Sequence, residues 1–385
     1  MRTKNRYILV IAAIFISVGL YHCVDPFTPE IKKYTDLLVI DGTLTDQPEK
    51  QFVTVSRTSD YNKALFYPEN GCTVTVLDDK GNIYKYTGKG KGKYEAEFTQ
   101  ADLHYGTSYM LRVIANNGEV FESDFQTLNA APLIDSVTAK WGRKVTTEDP
   151  VGINGYQFSV NTGDQSGNTK YYRWSMQETW EYHAPYEVSL MWDGEMHKFS
   201  FPDDRSTCWK TQEVPGIYTA TTRDMSKDLL KNVKLNFVSI GSDRLQWRYC
   251  LLVREYSLSA EAYEFWSSLE KQNQQTGGLY ETQPYTSQGN ITCVSNPDEV
   301  ALGFFSVSGM SKKRILVGPA PEPVNEMICR LDTLSALNPI EMYPKSSFPV
   351  YIQVLGFTRT TSARRCFDCM ELGGVNVRPE YWYYD

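Results

Sequence analysis

The chain has 385 residues, with 39 basic and 46 acidic side chains and a formal net charge of -7. Its 41% of apolar and 22% of charged residues are typical of globular proteins, and its length favours two domains. An acidic chain without a basic stripe argues against nucleic acid as a ligand, because phosphate contacts require clustered Lys and Arg.

The first 22 residues have the composition of an export signal. Three basic residues, Arg2, Lys4 and Arg6, precede the apolar run 8–20. That run is shorter than the roughly 20 residues that cross a bilayer, and it fits the apolar region of a secretory signal. We therefore predict that residues 1–22 are a signal peptide.

Cys23 follows this apolar run at a characteristic spacing. Leu20, two further residues and then the cysteine resemble the bacterial lipoprotein signal, although His22 departs from the small residue usual there. That resemblance implies cleavage before Cys23 and acylation of the cysteine, which would hold the protein at a membrane. Residues 23–36 then form a lipidated tether. The alternative is an uncleaved anchor with an incidental cysteine.

Residues 37–130 are predicted to form an immunoglobulin-like β-sandwich. Short segments with alternating apolar and polar residues recur about every ten residues, and their turns contain Gly and Asn. Tyr109, two residues before Leu111, resembles a tyrosine corner. The Gly- and Lys-rich run 87–94 is interpreted as a hairpin turn, since it lies between two alternating segments. The predicted strands are LLVIDGTL, QFVTVSRT, CTVTVLD, IYKYT, KYEAEF, SYMLRVIA and EVFESDFQTL.

Residues 131–385 are predicted to form a larger β-rich domain, so the fold class is all-β. One amphipathic helix is expected over 260–275, with Ser259 as N-cap and with Ala262, Phe265 and Trp266 on one face. We expect that helix to cover a sheet face or the end of a barrel. The predicted strands are INGYQFSVN, KYYRWSMQETWEYH, LNFVSI, RLQWRYCLLVREYSLS, EVALGFFSVSG, KKRILVG and VYIQVLGFT.

Seven cysteines follow Cys23, so at least one of them lacks a partner within the chain. We expect Cys366 and Cys369 to form disulfides with distant cysteines such as Cys208 and Cys329, because exported β-domains fasten C-terminal segments in this way. A redox-active C-x-x-C motif, a zinc site and unpaired thiols are the alternatives. The sequence does not specify the connectivity.

The sequence contains no catalytic or cofactor motif of the H-E-x-x-H, G-x-S-x-G or Walker type, and no cofactor is expected. His183 and His197 lie among carboxylates that include Asp193, Asp203 and Asp204. Paired carboxylates act as acid and base in glycosidases, so a surface glycan hydrolase is the alternative to a binding protein. Solvated charges on a hairpin are the simpler interpretation.

The segment 171–192 is rich in Tyr and Trp. Tyr172 and Trp174 are expected to pack in the core as neighbours on one face of a strand. Beyond that strand, exposed rings are candidates for a partner surface, because Trp and Tyr are frequent anchors in interfaces. These candidates are Trp180, Tyr182, Tyr186 and Trp192.

Four stretches of the sequence are similar to those of a known family: EAYEFWSSLEKQ, GGLYETQPYTSQGNI, EVALGFFSVSGMSKKRILV and CFDCMELGGVNVRPEYW. They resemble the exported lipoproteins called domain of unknown function 4249, from bacteria of the Bacteroides type. The resemblance implies an outer-membrane lipoprotein with an N-terminal sandwich, often encoded beside a TonB-dependent receptor. It carries over no activity and no ligand residues. We interpret its recurring positions as structural: Gly289, Asn290, Cys366, Cys369, Pro379 and Trp382.

These observations predict a lipid-anchored, two-domain β protein of the outer membrane that acts by binding. We expect it to be an accessory subunit of a TonB-dependent receptor or of another β-barrel transport complex. Besides the surface hydrolase, a structural scaffold for surface assembly is an alternative. The sequence does not specify whether a ligand is a small molecule or a glycan, and it does not specify the membrane face.

Overall fold

The computed structural model describes residues 36–59, 65–146, 149–164, 166–199, 205–275, 289–324 and 327–382, with side chains in the helix described to residue 273. Within these ranges the chain forms many short β-strands and a single α-helix. The prediction of an all-β fold with one helix is therefore confirmed.

The first ten strands lie between residues 38 and 127 and build most of a two-layer sandwich. Side chains that alternate along these strands, such as Ile40, Val55 and Leu111, are fully buried between the layers. The strands are β1 Leu38–Thr45, β2 Lys50–Arg57, β3 Tyr67–Pro68, β4 Thr73–Asp78, β5 Ile83–Lys85, β6 Thr87–Gly90, β7 Lys93–Glu97, β8 Ser108–Ile114, β9 Val120–Ser123 and β10 Gln126–Thr127.

The rest of the chain adds the helix and the remaining strands. Helix α1 covers Ala260–Gln275. The strands are β11 Ser136–Lys144, β12 Ile153–Thr162, β13 Tyr171–His183, β14 Leu190–Trp192, β15 Met196–Lys198, β16 Thr207–Thr221, β17 Leu230–Ser239, β18 Tyr249–Ser257, β19 Ile291–Cys293, β20 Ala301–Leu302, β21 Phe305–Ser308, β22 Met310–Val317, β23 Asp332–Thr333, β24 Val350–Leu355 and β25 Thr358–Thr361.

The strand order of the sandwich is that of an immunoglobulin domain. One sheet contains the order β1-β2-β7-β6 and the other the order β9-β8-β4-β5. In immunoglobulin nomenclature these orders are A-B-E-D and G-F-C-C′. The predicted immunoglobulin-like sandwich is thus present, and the run 87–94 forms the β6–β7 hairpin as expected.

Tyr109 forms the tyrosine corner at the start of β8. Its side chain is fully buried. Its hydroxyl donates a hydrogen bond to the Asp102 carbonyl at 2.7 Å and accepts one from the backbone N–H of His104 at 3.2 Å. These bonds hold the turn that leads from β7 into β8, which corresponds to the E–F corner of immunoglobulin domains.

Three strands from much later in the chain extend the sandwich. Strand β19 pairs with β9, whereas β20 and β21 run parallel to β1. The segment 299–309, which the predicted boundaries assign to the second domain, therefore belongs to the sandwich through β20 and β21. Alternation along a strand indicates that one face is buried, but it does not identify the sheet that the strand joins.

Gly289 and Asn290 fix the point where the chain returns to the sandwich. The Asn290 side chain accepts a hydrogen bond from the Phe305 N–H and donates one to the Phe305 carbonyl, both at 2.9 Å. A Cβ on Gly289 would lie 1.5 Å from the Gly303 carbonyl oxygen, so no side chain fits there. These contacts support the structural role inferred for both residues.

Two further sheets pack face to face and form the centre of the second body. The three-stranded sheet has the order β11-β12-β17 and the four-stranded sheet the order β16-β13-β18-β22. Tyr172 and Trp174 are buried between them, as predicted. Strands β11 and β16 were not predicted from the sequence, and in β16 Pro215 and Gly216 interrupt the alternation.

Helix α1 covers one end of the outer face of the four-stranded sheet. The Ser259 hydroxyl accepts a hydrogen bond from the Ala262 N–H at 3.1 Å, as expected of an N-cap. Phe265 and Trp266 pack toward the sheet, and Phe265 also contacts Phe304 of the sandwich, with ring centroids 5.0 Å apart. The expected position of the helix on a sheet face is confirmed.

Residues from the middle of the chain join its C-terminal part in a small lobe around the sheet β15-β14-β24-β25-β23. Disulfides join Cys208 to Cys369 and Cys329 to Cys366. The two cysteines of the C-x-x-C motif therefore bond to the two distant cysteines named from the sequence. We call residues 186–199 and 327–372 the disulfide lobe.

Candidate functional site

Two of the four aromatic candidates for a partner surface are buried. Trp180 and Tyr182 are 6% and 3% exposed. The Tyr182 hydroxyl donates a hydrogen bond to the Cys369 carbonyl at 2.6 Å. Neither ring is available as an anchor, because β13 continues to His183 and its buried face therefore includes both positions.

The other two candidates are half-buried in the disulfide lobe. The Tyr186 hydroxyl donates a hydrogen bond to the Cys329 carbonyl at 2.9 Å, and its ring packs on Phe367 with centroids 5.6 Å apart. Trp192 lies in β14 and packs against the apolar cluster of β24. Tyr186 borders a pocket, and Trp192 is part of the core of the lobe.

Of the three aspartates named as hydrolase candidates, Asp193 lies among the described residues. It is exposed, and its Oδ1 is 2.9 Å from Nε2 of His197. The pKa of the Asp193 carboxyl is lowered from its usual value, mainly by this hydrogen bond. Asp203 and Asp204 lie outside the described residues, as does Cys23.

The outer face of the sheet β11-β12-β17 forms an open groove of about 500 Å³. On β11, Val137, Ala139 and Trp141 pack toward the core. The period of two therefore directs Lys140 and Lys144 to the outer face, where they line the groove. We call this surface the cationic groove.

Strands β12 and β17 supply the floor and the far side of the cationic groove. Gln157 lies opposite Lys140 on one side and opposite Phe237 on the other. The Phe237 ring covers Gly155, where a Cβ would lie 2.8 Å from the ring and 2.2 Å from a backbone oxygen. The ammonium of Lys144 is 5.5 Å from the centroid of that ring.

The charge of the cationic groove is opposite to that of the whole chain. Among the described residues, four cations, Lys140, Arg143, Lys144 and Lys234, line it, and no Asp or Glu does. In the part of the chain that the structure describes, none of the four lies within 4.0 Å of a carboxylate oxygen. The groove is therefore a site of concentrated, unneutralised positive charge.

A second cavity of about 480 Å³ lies between the end of β13 and the disulfide lobe. Aromatic and apolar side chains line it together with polar groups, and the Trp247 indole is 41% exposed beside it. We call this cavity the aromatic pocket. It is lined by His183, Tyr186, Gln246, Trp247, Met327 and Cys329, together with Ala184 and Pro185.

His183 is the polar centre of the aromatic pocket. Its Nε2 lies 2.7 Å from Oε1 of Glu181, a carboxylate that is 4% exposed. The other carboxylate oxygen accepts a hydrogen bond from the indole N–H of Trp382 at 2.9 Å. The imidazole stacks on Trp247 with ring centroids 3.8 Å apart. Such a carboxylate partner sets the orientation and tautomer of a histidine ring.

A buried carboxylate holds the turn that leads to Trp247. Glu178 is 1% exposed and accepts hydrogen bonds from Nη1 of Arg244 at 2.9 and 3.0 Å. Tyr249 and Gln212 also donate to it, at 2.8 and 2.6 Å. Arg244 belongs to the 3-10 turn Asp243–Leu245, which precedes Gln246 and Trp247, so this network fixes one wall of the pocket.

Two features are absent from the described ranges. These ranges hold no group of three or more His, Cys, Asp or Glu side chains placed to bind a metal ion. They also hold no helix that is both long and apolar enough to cross a bilayer.

Neither the cationic groove nor the aromatic pocket was predicted from the sequence. The alternation in SVTAKWGRK, where apolar residues alternate with Thr138, Lys140 and Lys144, is a signal for β11 and its cationic face. The aromatic pocket has no comparable signal, because His183, Trp247 and Met327 come from segments far apart in the chain.

The fold and the two cavities described above define a modular all-β protein with an immunoglobulin-like sandwich, a second body of packed sheets and a disulfide lobe. The family model described as Domain of unknown function (DUF4249) matches residues 24–314, so the chain belongs to this family. The C-x-x-C motif, Pro379 and Trp382 lie after the matched residues.

Relatives outside this family add little. No curated protein is significantly similar to the chain. Among solved structures, the chain is similar to the crystal structure of a DUF4785 family protein from Legionella pneumophila, with 14% identity and a TM-score of 0.18. The match covers 57% of this chain and 51% of that one, about half the length of the relative. A TM-score this low does not support a shared fold.

Proposed function

We propose that this protein is a lipid-anchored binding protein whose cationic groove binds an acidic oligosaccharide. The observation that carries the proposal is the lining of the groove, which has four cations and no carboxylate on a chain with a net charge of -7. Opposite charge attracts an anionic ligand and also fixes its orientation.

The spacing of the cations suits an extended ligand. Lys140 and Lys144 lie four residues apart on one strand, about 13 Å at a rise of roughly 3.3 Å per residue. Lys234 is on the second strand over from β11, about 10 Å across the sheet. A single small anion contacts only one of these positions, whereas a chain with repeated anionic groups contacts all three.

The neutral groups of the groove suit a sugar. Nε2 of Gln157 donates to the carbonyls of Phe158 and Asn236, at 2.9 and 3.2 Å, so its Oε1 is left to accept from a ligand hydroxyl. Phe237 offers an apolar ring face to the C–H groups of a sugar ring. Single-stranded nucleic acid suits the groove less well, because its binding uses several stacking rings along a longer cationic path.

Calorimetric titration with tetragalacturonate tests the proposed ligand class. Changing Lys140, Lys144 and Lys234 together to Gln should weaken binding by up to about a thousandfold, since each charge-assisted contact contributes on the order of 1.5 kcal/mol. The same change at the exposed residues Lys80, Lys85 and Lys345 has the same effect on net charge and should leave binding unchanged.

A matched ligand separates charge from sugar shape. The fully methyl-esterified tetramer keeps the ring geometry but lacks the anions, so it should bind much more weakly than tetragalacturonate. Equal binding of the two tetramers, or no binding of either, refutes the proposal. Preferential binding of an oligothymidylate of equal charge would instead identify the groove as a nucleic-acid site.

The proposed lipid anchor is supported by the sequence of residues 2–23, with basic residues, an apolar run and then Cys23. Mass spectrometry of the membrane-bound protein should find an acylated N-terminal peptide that begins at Cys23. The Cys23→Ser variant should move from the membrane fraction to the soluble fraction. An intact Met1 in the membrane form contradicts the anchor.

The proposed partner is a β-barrel protein of the outer membrane, to which this chain would be an accessory subunit. Its support is the family, since the sequence resembles lipoproteins encoded beside TonB-dependent receptors. Affinity purification of the tagged, membrane-anchored protein in mild detergent should recover a barrel protein in stoichiometric amount. Recovery of surface-assembly proteins instead would favour a scaffold.

A further inference from the structure

We infer that the aromatic pocket is a second, independent binding site, for a flat and uncharged heteroaromatic ring with an N–H donor on its edge. No residue of the cationic groove lines this pocket, and the inference does not depend on the proposed oligosaccharide. Four properties of the pocket support it: its size, the absence of charge in its lining, its exposed indole and its oriented imidazole.

The size and lining of the pocket favour a small, uncharged ligand. A volume of about 480 Å³ lies within the range of small-molecule sites. Among the described residues, no Lys, Arg, Asp or Glu lines it, and the nearby carboxylate of Glu181 is buried behind His183. An ion that entered the pocket would lose hydration without gaining an opposite charge, so a neutral ligand is favoured.

Trp247 provides a surface for stacking. One of its neighbours is the imidazole of His183, with ring centroids 3.8 Å apart, and the indole is still 41% exposed. Tyr186 and the thioether of Met327 also line the pocket. Rings stack on indole and pack against thioether sulfur with favourable geometry, so these walls suit an aromatic ligand better than an aliphatic one.

His183 determines which polar group the ligand must carry. An ionised carboxylate only accepts hydrogen bonds, so with Glu181 ionised the Nε2 atom of His183 carries the proton. In the neutral ring Nδ1 is then an acceptor, and it has no hydrogen-bond partner among the described residues. A ligand N–H satisfies this acceptor, whereas a ligand with only acceptor atoms does not.

The walls of the pocket are held in place before any ligand binds. Glu181 is fixed by the indole N–H of Trp382, and Tyr186 is fixed by its hydrogen bond to the Cys329 carbonyl. The disulfide between Cys329 and Cys366 ties that wall to the lobe. Preformed walls reduce the entropic cost of binding, which matters most for a small ligand with few contacts.

Titration with indole and with 1-methylindole tests the inference on the unmodified protein. The two ligands have nearly the same shape and stacking surface, and only indole carries the N–H donor. We expect saturable binding of indole, and we expect methylation to weaken it about fivefold to tenfold, the usual effect of one hydrogen bond. Saturation-transfer NMR observed on the ligand is suited to affinities of this weak range.

Three variants locate the binding. Trp247→Leu removes the stacking surface at an exposed position and should weaken both ligands about tenfold. His183→Phe keeps a ring against Trp247 but removes the acceptor, so indole should bind no better than 1-methylindole. Phe357→Ala removes a fully exposed ring elsewhere in the disulfide lobe and should change neither affinity.

Several results overturn the inference. They are the absence of saturable indole binding, equal affinity for indole and 1-methylindole, and unchanged affinity in Trp247→Leu. If His183→Phe does not fold because Glu181 loses its partner, the pair of ligands on the unmodified protein and the Trp247→Leu variant still decide the question. Loss of tetragalacturonate binding has no bearing on this result.

Discussion

The carboxylate of Glu178 offers a quantitative test of the structure around Trp247. It is 1% exposed and accepts four hydrogen bonds, two of them from Nη1 of Arg244. Arg244→Met keeps most of the side-chain length but removes the only cation of this network. Tyr249 and Gln212 then remain as neutral donors to a buried negative charge.

The expected loss of stability follows from burial. Removing one partner of a buried ion pair costs about 3 to 5 kcal/mol, because the remaining charge stays desolvated. The Arg244 side chain is 26% exposed, so water can enter and the lower end of this range applies. We expect Arg244→Met to lower the free energy of unfolding by about 3 kcal/mol.

A matched control lies on the same sheet. Arg254 pairs with Glu213 at 3.0 Å, but the Glu213 side chain is 61% exposed. Exposed pairs contribute at most about 1 kcal/mol, so Arg254→Met should have a small effect. The double variant Arg244→Met with Glu178→Gln removes the stranded charge and should recover part of the lost stability.

Urea unfolding of the disulfide-bonded protein, followed by Trp fluorescence at neutral pH, measures these differences. Equal effects of Arg244→Met and Arg254→Met would refute the reasoning, because burial is the only factor assigned to the difference. A double variant less stable than Arg244→Met alone would also contradict it, since the cost would then not arise from an unpaired carboxylate.

Three further predictions concern other parts of the fold. Glu255 is fully buried, and burial raises its pKa to about 7. The stability that the protonated Glu255 carboxyl contributes is therefore complete below the unfolded pKa near 4.3 and is lost as pH rises toward 7. The free energy of unfolding should fall across this interval by up to about 1.4 kcal/mol per pH unit. Glu255→Gln should flatten this pH profile, measured by urea unfolding. Gly303 has a φ of +102°, and a Cβ there would lie 2.0 Å from the Ile40 carbonyl oxygen. Gly303→Ala should therefore lower the free energy of unfolding by about 3 kcal/mol or more. The control Gly318→Ala, where a Cβ would have no atom within 4 Å, should be nearly neutral in the same assay. Peptide mapping without reduction should find the pairs Cys208–Cys369 and Cys329–Cys366. It should find Cys72, Cys250 and Cys293 unlinked. A peptide linking Cys366 to Cys369 would contradict the fold of the disulfide lobe.

Much of the local structure could be predicted from the sequence. Alternating residues predicted the strands of the sandwich, and Tyr109 indicated the corner that leads into β8. Ser259 and the spacing of Phe265 and Trp266 predicted helix α1 and its buried face. These features depend on residues close together in the chain, so their periodicity and capping are visible in one dimension.

The exposure of the aromatic rings in the segment 171–192 could not be predicted from neighbouring residues. Trp180 and Tyr182 were expected to be exposed, yet both lie in β13 and the chain buries both rings. A ring at a strand end looks the same in sequence whether it contacts solvent or a distant segment. Whether such a ring is buried is therefore determined by the tertiary fold.

The sequence by itself determined most strands of the sandwich, its immunoglobulin-like class, the helix and the cysteines available for disulfides. It also contains the export pattern that ends at Cys23, and with it the prediction of a lipid anchor. Only the tertiary structure decided that β19, β20 and β21 return to the sandwich, which cysteines pair, and which side chains line the two cavities. The physical reason is that sheet pairing and packing join segments far apart in the chain. His183 and Trp247 stack although 64 positions separate them, and no pattern of neighbouring residues encodes that contact.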